Sequence, residues 1–596
     1  MPAMMHAQTS FSRYVLVFTD KKGSPFTLTD PSPYLSDASV QRRAKQQIAI
    51  DSTDLPLSPV YLDSIASVPN VTILNRSKWL NQVAIRTSDP AALATIRSFS
   101  FVRQFFPIAM DAGARSQNGH GAKFPGGATM SGIQGTRDAL RMKRGETGAG
   151  STATEKKEIA EKQRKTRTRS IAGIKTERRI AAISGDALSY GGTSAQIHIH
   201  HGEYLHDQGF RGQGIRIAII DDGFSGYLSN PVFDSLRSDG RVLGSWDFVN
   251  NKESVNEEDI HGAYCLSIMA ANRPGIMVGS APGASFWLFK TEDVNSEYPV
   301  EEQNWAAAAE FADSVGADMI TTSLGYIHFD DPSFDHSYAQ RDGHTAISTR
   351  AANFAVGKGM IVLASADNSG SDTADTKYVG CPGDADSVLT VGGTDIEGRV
   401  SGFSSWGPNA SGRIKPDVVS VGVGTVIASA NGEPVTGNGT SFSTPNLAGL
   451  VACLWEAFPE FSNHAILDAI RESSSNYFNP DEHYGYGLPD LQKASELLRD
   501  ARGVNAVVSR GYPGITAWPV PYSNDLTVLF QAQNSGNAGL TLIDAVGQAI
   551  ERQTVVTNKG QWYTVHFISV PKMSGAVYFV RYTDGKQQMV LPVIRK

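Results

Sequence analysis

The sequence predicts an α/β protein built on a parallel sheet with helices on both faces, preceded by a small α+β domain and followed by a small β-sandwich. Three observations carry this reading. Between residues 191 and 500 short apolar runs alternate with longer helical stretches, the pattern of successive βαβ units. Before residue 108 strands and helices are mixed, and beyond residue 516 only short strands remain, parted by turns such as Asp584-Gly585. At 596 residues the chain is also too long for one core, so two to four domains are expected.

Composition narrows the class further. A 41% hydrophobic and 19% charged chain is ordinary for a globular protein, and a net charge of -7 gives no sign of a nucleic-acid partner. Three cysteines exclude a disulfide-dense scaffold. No apolar run approaches the roughly twenty residues of a transmembrane helix.

Taken in order, residues 1–11 are too short for a complete signal peptide, and read either as the remnant of one, with Ala7 at the cleavage position, or as an unstructured start. Residues 12–108 form the α+β block. It has strands at Tyr14–Phe18, Val71–Leu74, Gln82–Ile85 and Phe101–Phe106, and helices from Ser36, Tyr61 and Ala91. Residues 109–190 are rich first in Gly and Ser, then in Lys, Arg and Glu, and are expected to be a disordered linker. Its cluster Lys162–Arg169 is read as a solvated stretch, with an acidic partner or a processing site as the other options. In 191–500 the strands are Ile215–Ile220, Ser285–Phe289, Met319–Ser323, Met360–Ala364 and Val388–Val391, and helices lie at His261–Ala271, Trp305–Val315 and Ser348–Val356. A second linker is expected at 501–515, ahead of the strands of 516–596.

Functional groups of such a sheet belong at the carboxyl ends of its strands. The first predicted strand ends in Asp221-Asp222-Gly223, and His261 opens a helix forty residues on. The run Ile361-Val362-Leu363-Ala364 delivers Asp367 and Asn368. Gly439-Thr440-Ser441 then leads into the apolar run Leu447–Ala452. Singly, each has a plainer reading as a turn aspartate, a helix-start histidine or an N-cap serine. Together they supply what acyl transfer requires: a hydroxyl nucleophile, a base to take its proton, a carboxylate to orient the base and an amide to receive the oxyanion.

The order Asp, His, Asn, Ser, with Gly212-Gln213-Gly214, Thr322-Ser323-Leu324-Gly325, Phe403–Pro408, Lys415-Pro416-Asp417 and Tyr484–Gly487, resembles the subtilisin-like serine peptidases, the subtilase family. The resemblance implies a subtilisin-like parallel sheet, with Asp221 orienting the imidazole, His261 as general base, Ser441 as nucleophile and Asn368 as side-chain oxyanion donor. It also implies that Ser323, Leu324 and Gly325 form the edge strand against which an extended substrate pairs. No cofactor is required for the chemistry, structural calcium is admitted, and a monomer acting on proteins or peptides is expected. Two residues depart from the family pattern: Asp222, where Thr or Ser is usual, is expected to face solvent, and Asp367 replaces the usual Gly. Cys265 is expected to be small buried packing.

Two flanks resemble parts of secreted Bacteroidetes subtilases. Residues 12–108, with Lys21–Ser24 and Ser77-Lys78-Trp79-Leu80-Asn81, are similar to the inhibitory pro-region, which implies a zymogen. The tail, with Trp518–Pro521 and Ser574–Arg581, resembles the sorting domain read by the type IX secretion machinery, which implies export across the outer membrane. A different class of function, a surface binding protein that keeps the fold without catalysis, finds its support in Asp367.

Overall fold

The structure, a computed structural model, describes residues 11–110, 188–257, 259–509, 514–518, 525–568 and 577–595. The short N-terminal segment, nearly all of the Gly/Ser and Lys/Arg-rich linker, and the Pro519–Pro521 and Ser574–Ala576 parts of the tail motifs lie outside the described residues. The described chain forms two compact units, Met1–Leu491 and Gln492–Lys596.

The first unit begins with strands β1 (Phe11–Phe18), β2 (Thr72–Ser77), β3 (Gln82–Arg86) and β4 (Val102–Met110), paired antiparallel in the order β2-β3-β1-β4. Helices Asp37–Lys45, Pro59–Ala66 and Pro90–Ser98 connect them. Two start as their sequences dictate: Ser36 accepts from the Ser39 N–H at 3.3 Å, and Asp89 accepts from Ala91 at 2.8 Å with Pro90 behind it. Leu16, Ile65, Val83 and Ile96 fill the core of this block.

The second sheet contains β5 (Arg216–Asp221), β6 (Val242–Asp247), β9 (Ser285–Lys290), β10 (Met319–Thr322), β11 (Ile361–Ser365), β12 (Leu389–Thr394) and β13 (Val418–Val421); a two-residue hairpin, β7 (Asn272–Arg273) with β8 (Met277–Val278), precedes β9. All pairs among its seven strands are parallel, in the order β13-β12-β11-β10-β5-β9-β6. Central strands such as Ile361–Ser365 are buried along their whole length, which is why they read as unbroken apolar runs rather than alternating ones. The helix Thr440–Ala457 lies inside the molecule, buried from Thr440 to Glu456, so it too lacks a polar face.

The α+β block and the large sheet belong to one unit because polar groups interlock across their contact. Glu310, on the helix Val300–Val315, accepts the backbone N–H groups of Lys78 at 2.6 Å and Trp79 at 3.1 Å. Asp313 of the same helix receives Arg43 at 2.8 Å and also pairs with Arg42, and Lys358 reaches Asp54 at 3.0 Å. Ser77-Lys78-Trp79-Leu80 is therefore a docking segment, with Trp79 and Leu80 inside the core of the large sheet.

Strands β14 (Thr425–Ala428) and β15 (Pro434–Gly437) form an antiparallel hairpin that leads into the Thr440–Ala457 helix. In the second unit, β16 (Ile515–Trp518), β17 (Asp525–Gln531) and β20 (Trp562–Ile568) form one sheet, and β18 (Gly536–Ile543), β19 (Ala549–Thr557), β21 (Val577–Thr583) and β22 (Gln588–Ile594) form another. One core holding Val528, Phe530, Leu540 and Val580 joins them into the expected sandwich. The expected linker at 501–515 is corrected in part: the helix Leu491–Ser509 runs through residue 509, and its Leu491, Ala494 and Leu498 are buried. Gly503 and Asn505, poor helix formers, hid the continuation, and the buried Leu491, Ala494 and Leu498 lie before them.

Candidate active site

The strand order reverses between β5 and β10, since β9 and β6 lie to one side of β5 and β11 to β13 beyond β10. That crevice is where an open parallel sheet collects functional groups. Asp221 closes β5 and is fully buried, while His261 is the first residue of the helix His261–Ala270. His261 Nδ1 and Asp221 Oδ1 are 2.7 Å apart. Gly262 permits the approach of helix to strand: a Cβ there would lie 2.6 Å from the Gly223 carbonyl oxygen and 3.0 Å from the Asp221 Cβ.

Ser441 is the second residue of the Thr440–Ala457 helix, so its N–H has no carbonyl four residues back and remains available to a ligand. The turn before it depends on Gly439, whose φ of 147° is essentially restricted to glycine. Pro445 has no N–H to donate to the Ser441 carbonyl. Side chains take over that role, with Ser323 Oγ donating at 2.9 Å and Cys265 Sγ at 3.4 Å. The Ser441 hydroxyl is 3.5 Å from the Ser323 carbonyl oxygen, and Phe442 sets its ring 5.9 Å from that of His261.

Asn368 lies just beyond β11. Its Oδ1 accepts the Thr440 N–H at 2.9 Å and the Thr440 hydroxyl at 3.1 Å. An N–H needs an acceptor, so this contact fixes the amide with its oxygen toward the helix and leaves its NH2 as the donor turned to other partners. Ser323, Leu324 and Gly325 follow β10, which corrects one expectation. β10 is a central strand between β5 and β11 rather than an edge, and the three residues leave the sheet at its carboxyl end. An alternation pattern cannot distinguish a central strand's exit from an edge.

Asp222 is a second correction. It is 1% exposed rather than solvent-facing, and among the described residues neither of its carboxyl oxygens, nor Asp221 Oδ2, meets a hydrogen-bond donor. Burial, then the neighbouring Asp259 and Asp221, push the Asp222 carboxyl well above the carboxylate range. Burial and the neighbouring carboxylates thus favour the protonated form of Asp222. His261 is affected oppositely: burial alone would lower it, but Asp221 outweighs this and raises the imidazole to about 9. Cys265 is buried as expected, and burial pushes its thiol well above the ordinary value, so the reactive thiolate is suppressed.

Comparison with known proteins adds an independent observation. A family model described as "Subtilase family" matches residues 212–487, and one described as "Peptidase S8 propeptide domain, Bacteroidota" matches residues 13–121. Subtilisin E of Bacillus subtilis (strain 168) is 30% identical over 295 residues, covering 49% of this chain and 68% of that protein. The chain belongs to the subtilase family. The subtilisin of Bacillus pumilus is 29% identical over 49% of this chain and 94% of its own length. Among solved structures, the crystal structure of MycP1 with its N-terminal propeptide removed matches at 22% identity and a TM-score of 0.41, covering 50% of this chain and 96% of that one.

Several motifs that pointed to the subtilase family maintain the scaffold. Glu456 accepts the N–H groups of Arg211, Gly212 and Gln213 at 2.8–3.0 Å, so the Gly212-Gln213-Gly214 turn wraps a carboxylate. Lys415 Nζ, 1% exposed, donates to Asp417 at 2.9 Å and to the Ala385 and Val388 carbonyls. Sequence reasoning missed Thr440 as the orienter of Asn368, and Phe442 beside His261, although both flank Ser441. It also missed Asp259 and Gly380, which come near the site only through folding.

In the acidic loop Tyr326–Gly343 each aspartate meets a donor of the chain, Asp330 accepting from the Glu297 N–H at 3.2 Å. Asp331 accepts from Ser333 at 2.9 Å, Asp335 from Phe329 at 2.8 Å and Asp342 from His344 at 2.9 Å. Among the described residues, two groups bring three metal-type ligand atoms within 4.8 Å: Asp221 with His261 and Cys265, and Glu292 with Glu297 and Glu301. Neither includes an aspartate of that loop.

Proposed function

We propose that this subtilase is a secreted serine endopeptidase, made as a zymogen, that hydrolyses peptide bonds through an acyl-enzyme on Ser441. The observation that carries the reading is the 2.7 Å contact of His261 Nδ1 with the buried Asp221, at the crevice where Ser441 begins its helix. Asp221 holds the Nδ1 proton, which leaves Nε2 as the basic nitrogen for the Ser441 hydroxyl. The Asn368 NH2 and the Ser441 N–H are the donors for the oxyanion formed at the attacked carbonyl. Water then releases the acyl group, with His261 again as base.

The N-terminal block, held on the Val300–Val315 helix by Glu310 and Asp313, acts as the inhibitory pro-region. The C-terminal sandwich, a unit of its own carrying the sorting-type motifs, directs export to the cell surface or medium by the type IX machinery, and the enzyme acts as a monomer on proteins and peptides. Asp367 does not favour the non-catalytic reading, because its carboxylate lies against Gly325 and Gly380, away from the Thr440 contact that orients Asn368.

Fluorophosphonate labelling of the purified protein beside Ser441→Ala, with intact mass recorded, tests the reading. Label on the parent alone, with loss of the N-terminal block over time, is the expected result. A folded parent that neither labels nor shortens, even after the linker is trimmed by an added protease, would contradict it.

A further inference from the structure

Asp367 has three unusual features together. It is a non-glycine residue at a φ of 79°, it directly precedes Asn368, and it brings a charge into the crevice at the ends of β10 and β11. Its carboxylate occupies the space that side chains would take on two glycines. A Cβ on Gly325 would fall 2.1 Å from Asp367 Oδ1, and one on Gly380 would fall 2.0 Å from Oδ2. Those glycines belong to the segment leaving β10 and to the turn before Cys381-Pro382, so the carboxylate lies between two stretches of bare backbone.

Among the described residues the Asp367 carboxylate accepts no hydrogen bond and makes no ion pair within 4 Å. The cations that act on it are Arg341 and His328. Arg341 is committed elsewhere, its Nη1 donating to the Tyr378 carbonyl at 2.7 Å and to Val379 at 3.3 Å, and its Nη2 to Asp375. His328 is mostly exposed and pairs with Asp335 at 2.8 Å. The other titratable groups around Arg341 and the Gly380 turn are Asp375, Asp384, Glu302 and the buried Cys381. The carboxylate thus stands without a dedicated counter-ion.

We propose that Asp367 selects the residue on the acyl side of the scissile bond, making this a peptidase that cleaves after lysine or arginine. This rests on the serine-peptidase reading. The carbonyl attacked by Ser441 Oγ has its oxygen at Asn368, so the side chain of that same residue enters the neighbouring crevice between 323–325 and 366–368, with the Gly325 and Gly380 backbone beneath. A bound peptide closes this crevice to water. A neutral side chain would then leave a desolvated, unpartnered anion, whereas an ammonium or guanidinium would pair with it. The chain's own sequence between residues 110 and 188 is rich in such residues, as in Lys162, Arg164, Lys165, Arg167 and Arg169.

The test compares kcat/KM on peptide anilides that differ only at this position (Arg, Lys, Phe, Leu, Ala), using protein expressed as the whole chain, matured by loss of its N-terminal block and titrated with fluorophosphonate. The parent is expected to favour Arg and Lys, and Asp367→Asn to lower the Arg-to-Phe ratio about 30-fold or more, the loss typical when one member of a desolvated charge pair is neutralised. Asp367→Gly, which also relieves the positive φ, is expected to lower the ratio similarly. A mere loss of site geometry would lower all five substrates together and leave the ratio unchanged. A parent that labels yet prefers Phe, Leu or Ala overturns this proposal and leaves the peptidase reading standing. A parent that neither labels nor cleaves any of the five overturns both. If neither variant folds, the parent's own preference decides.

Discussion

At the scale of single residues, the electrostatics of the site make a measurable demand on His261. Asp221 holds the imidazole at about 9, so the basic form needed for attack is depleted as pH falls through that value. The stability contribution has the opposite sign: the protonated imidazole bound to Asp221 stabilises the fold fully below the unfolded value near 6.5, and that contribution is lost as pH rises through about 9. In the Ser441→Ala protein, an NMR titration of His261 is expected to have its midpoint near 9. Asp221→Asn should lower that midpoint, because burial is then opposed only by Asp222 and Asp259. A parent midpoint at or below 6.5 would contradict this account. Both Asp222, buried beside Asp221, and Asp367, without a hydrogen-bond or ion-pair partner among the described residues, are carboxylates whose roles follow from what surrounds them.

At the scale of elements, the contact between the N-terminal block and the Val300–Val315 helix turns on Asp313. Burial would raise this carboxyl, but Arg42, Lys78 and Arg43 outweigh it and hold it at about 2. Its stabilising contribution is therefore present above the ordinary value of 3.8 and is lost as pH falls toward about 2. Asp313→Asn leaves the buried Arg42 without a carboxylate and Arg43 with Asp54 alone, a change that typically costs about 3–5 kcal/mol. In the full-length Ser441→Ala protein this should appear as lower denaturant resistance of the docked block. An unchanged unfolding midpoint would mean that the arginines find other partners. The helices and strands themselves follow local rules, as the Ser36 and Asp89 caps illustrate.

At the scale of the whole molecule, the division after Leu491 separates two cores. Removal of residues 515–596 is expected to leave fluorophosphonate labelling and the thermal midpoint of the first unit unchanged while abolishing export. Loss of labelling in the truncated protein would show that the sandwich supports the catalytic unit. In the first unit, the docked block and the large sheet share buried polar partners, so unfolding of the Ser441→Ala protein should report on both.

Much of this organisation was legible in the sequence. β5, β9, β10, β11 and β12 stand out because parallel strands buried on both faces need continuous apolar runs, whereas β6, half-exposed, and the four-residue β13 are not picked out. Asp221, His261, Asn368 and Ser441 were visible because each sits at the end of such a run or the start of a helix, where topology brings strand ends together. What the sequence could not decide is set by neighbours distant along the chain. β10 is central only because β5 and β11 flank it, Asp222 is buried with Asp259 and Asp221 acting on its carboxyl, and Asp367 finds bare backbone only because Gly325 and Gly380 fold against it. Local patterns encode which backbone form a segment takes. The burial, partner and charge state of a side chain depend on contacts that exist only once the chain has closed on itself.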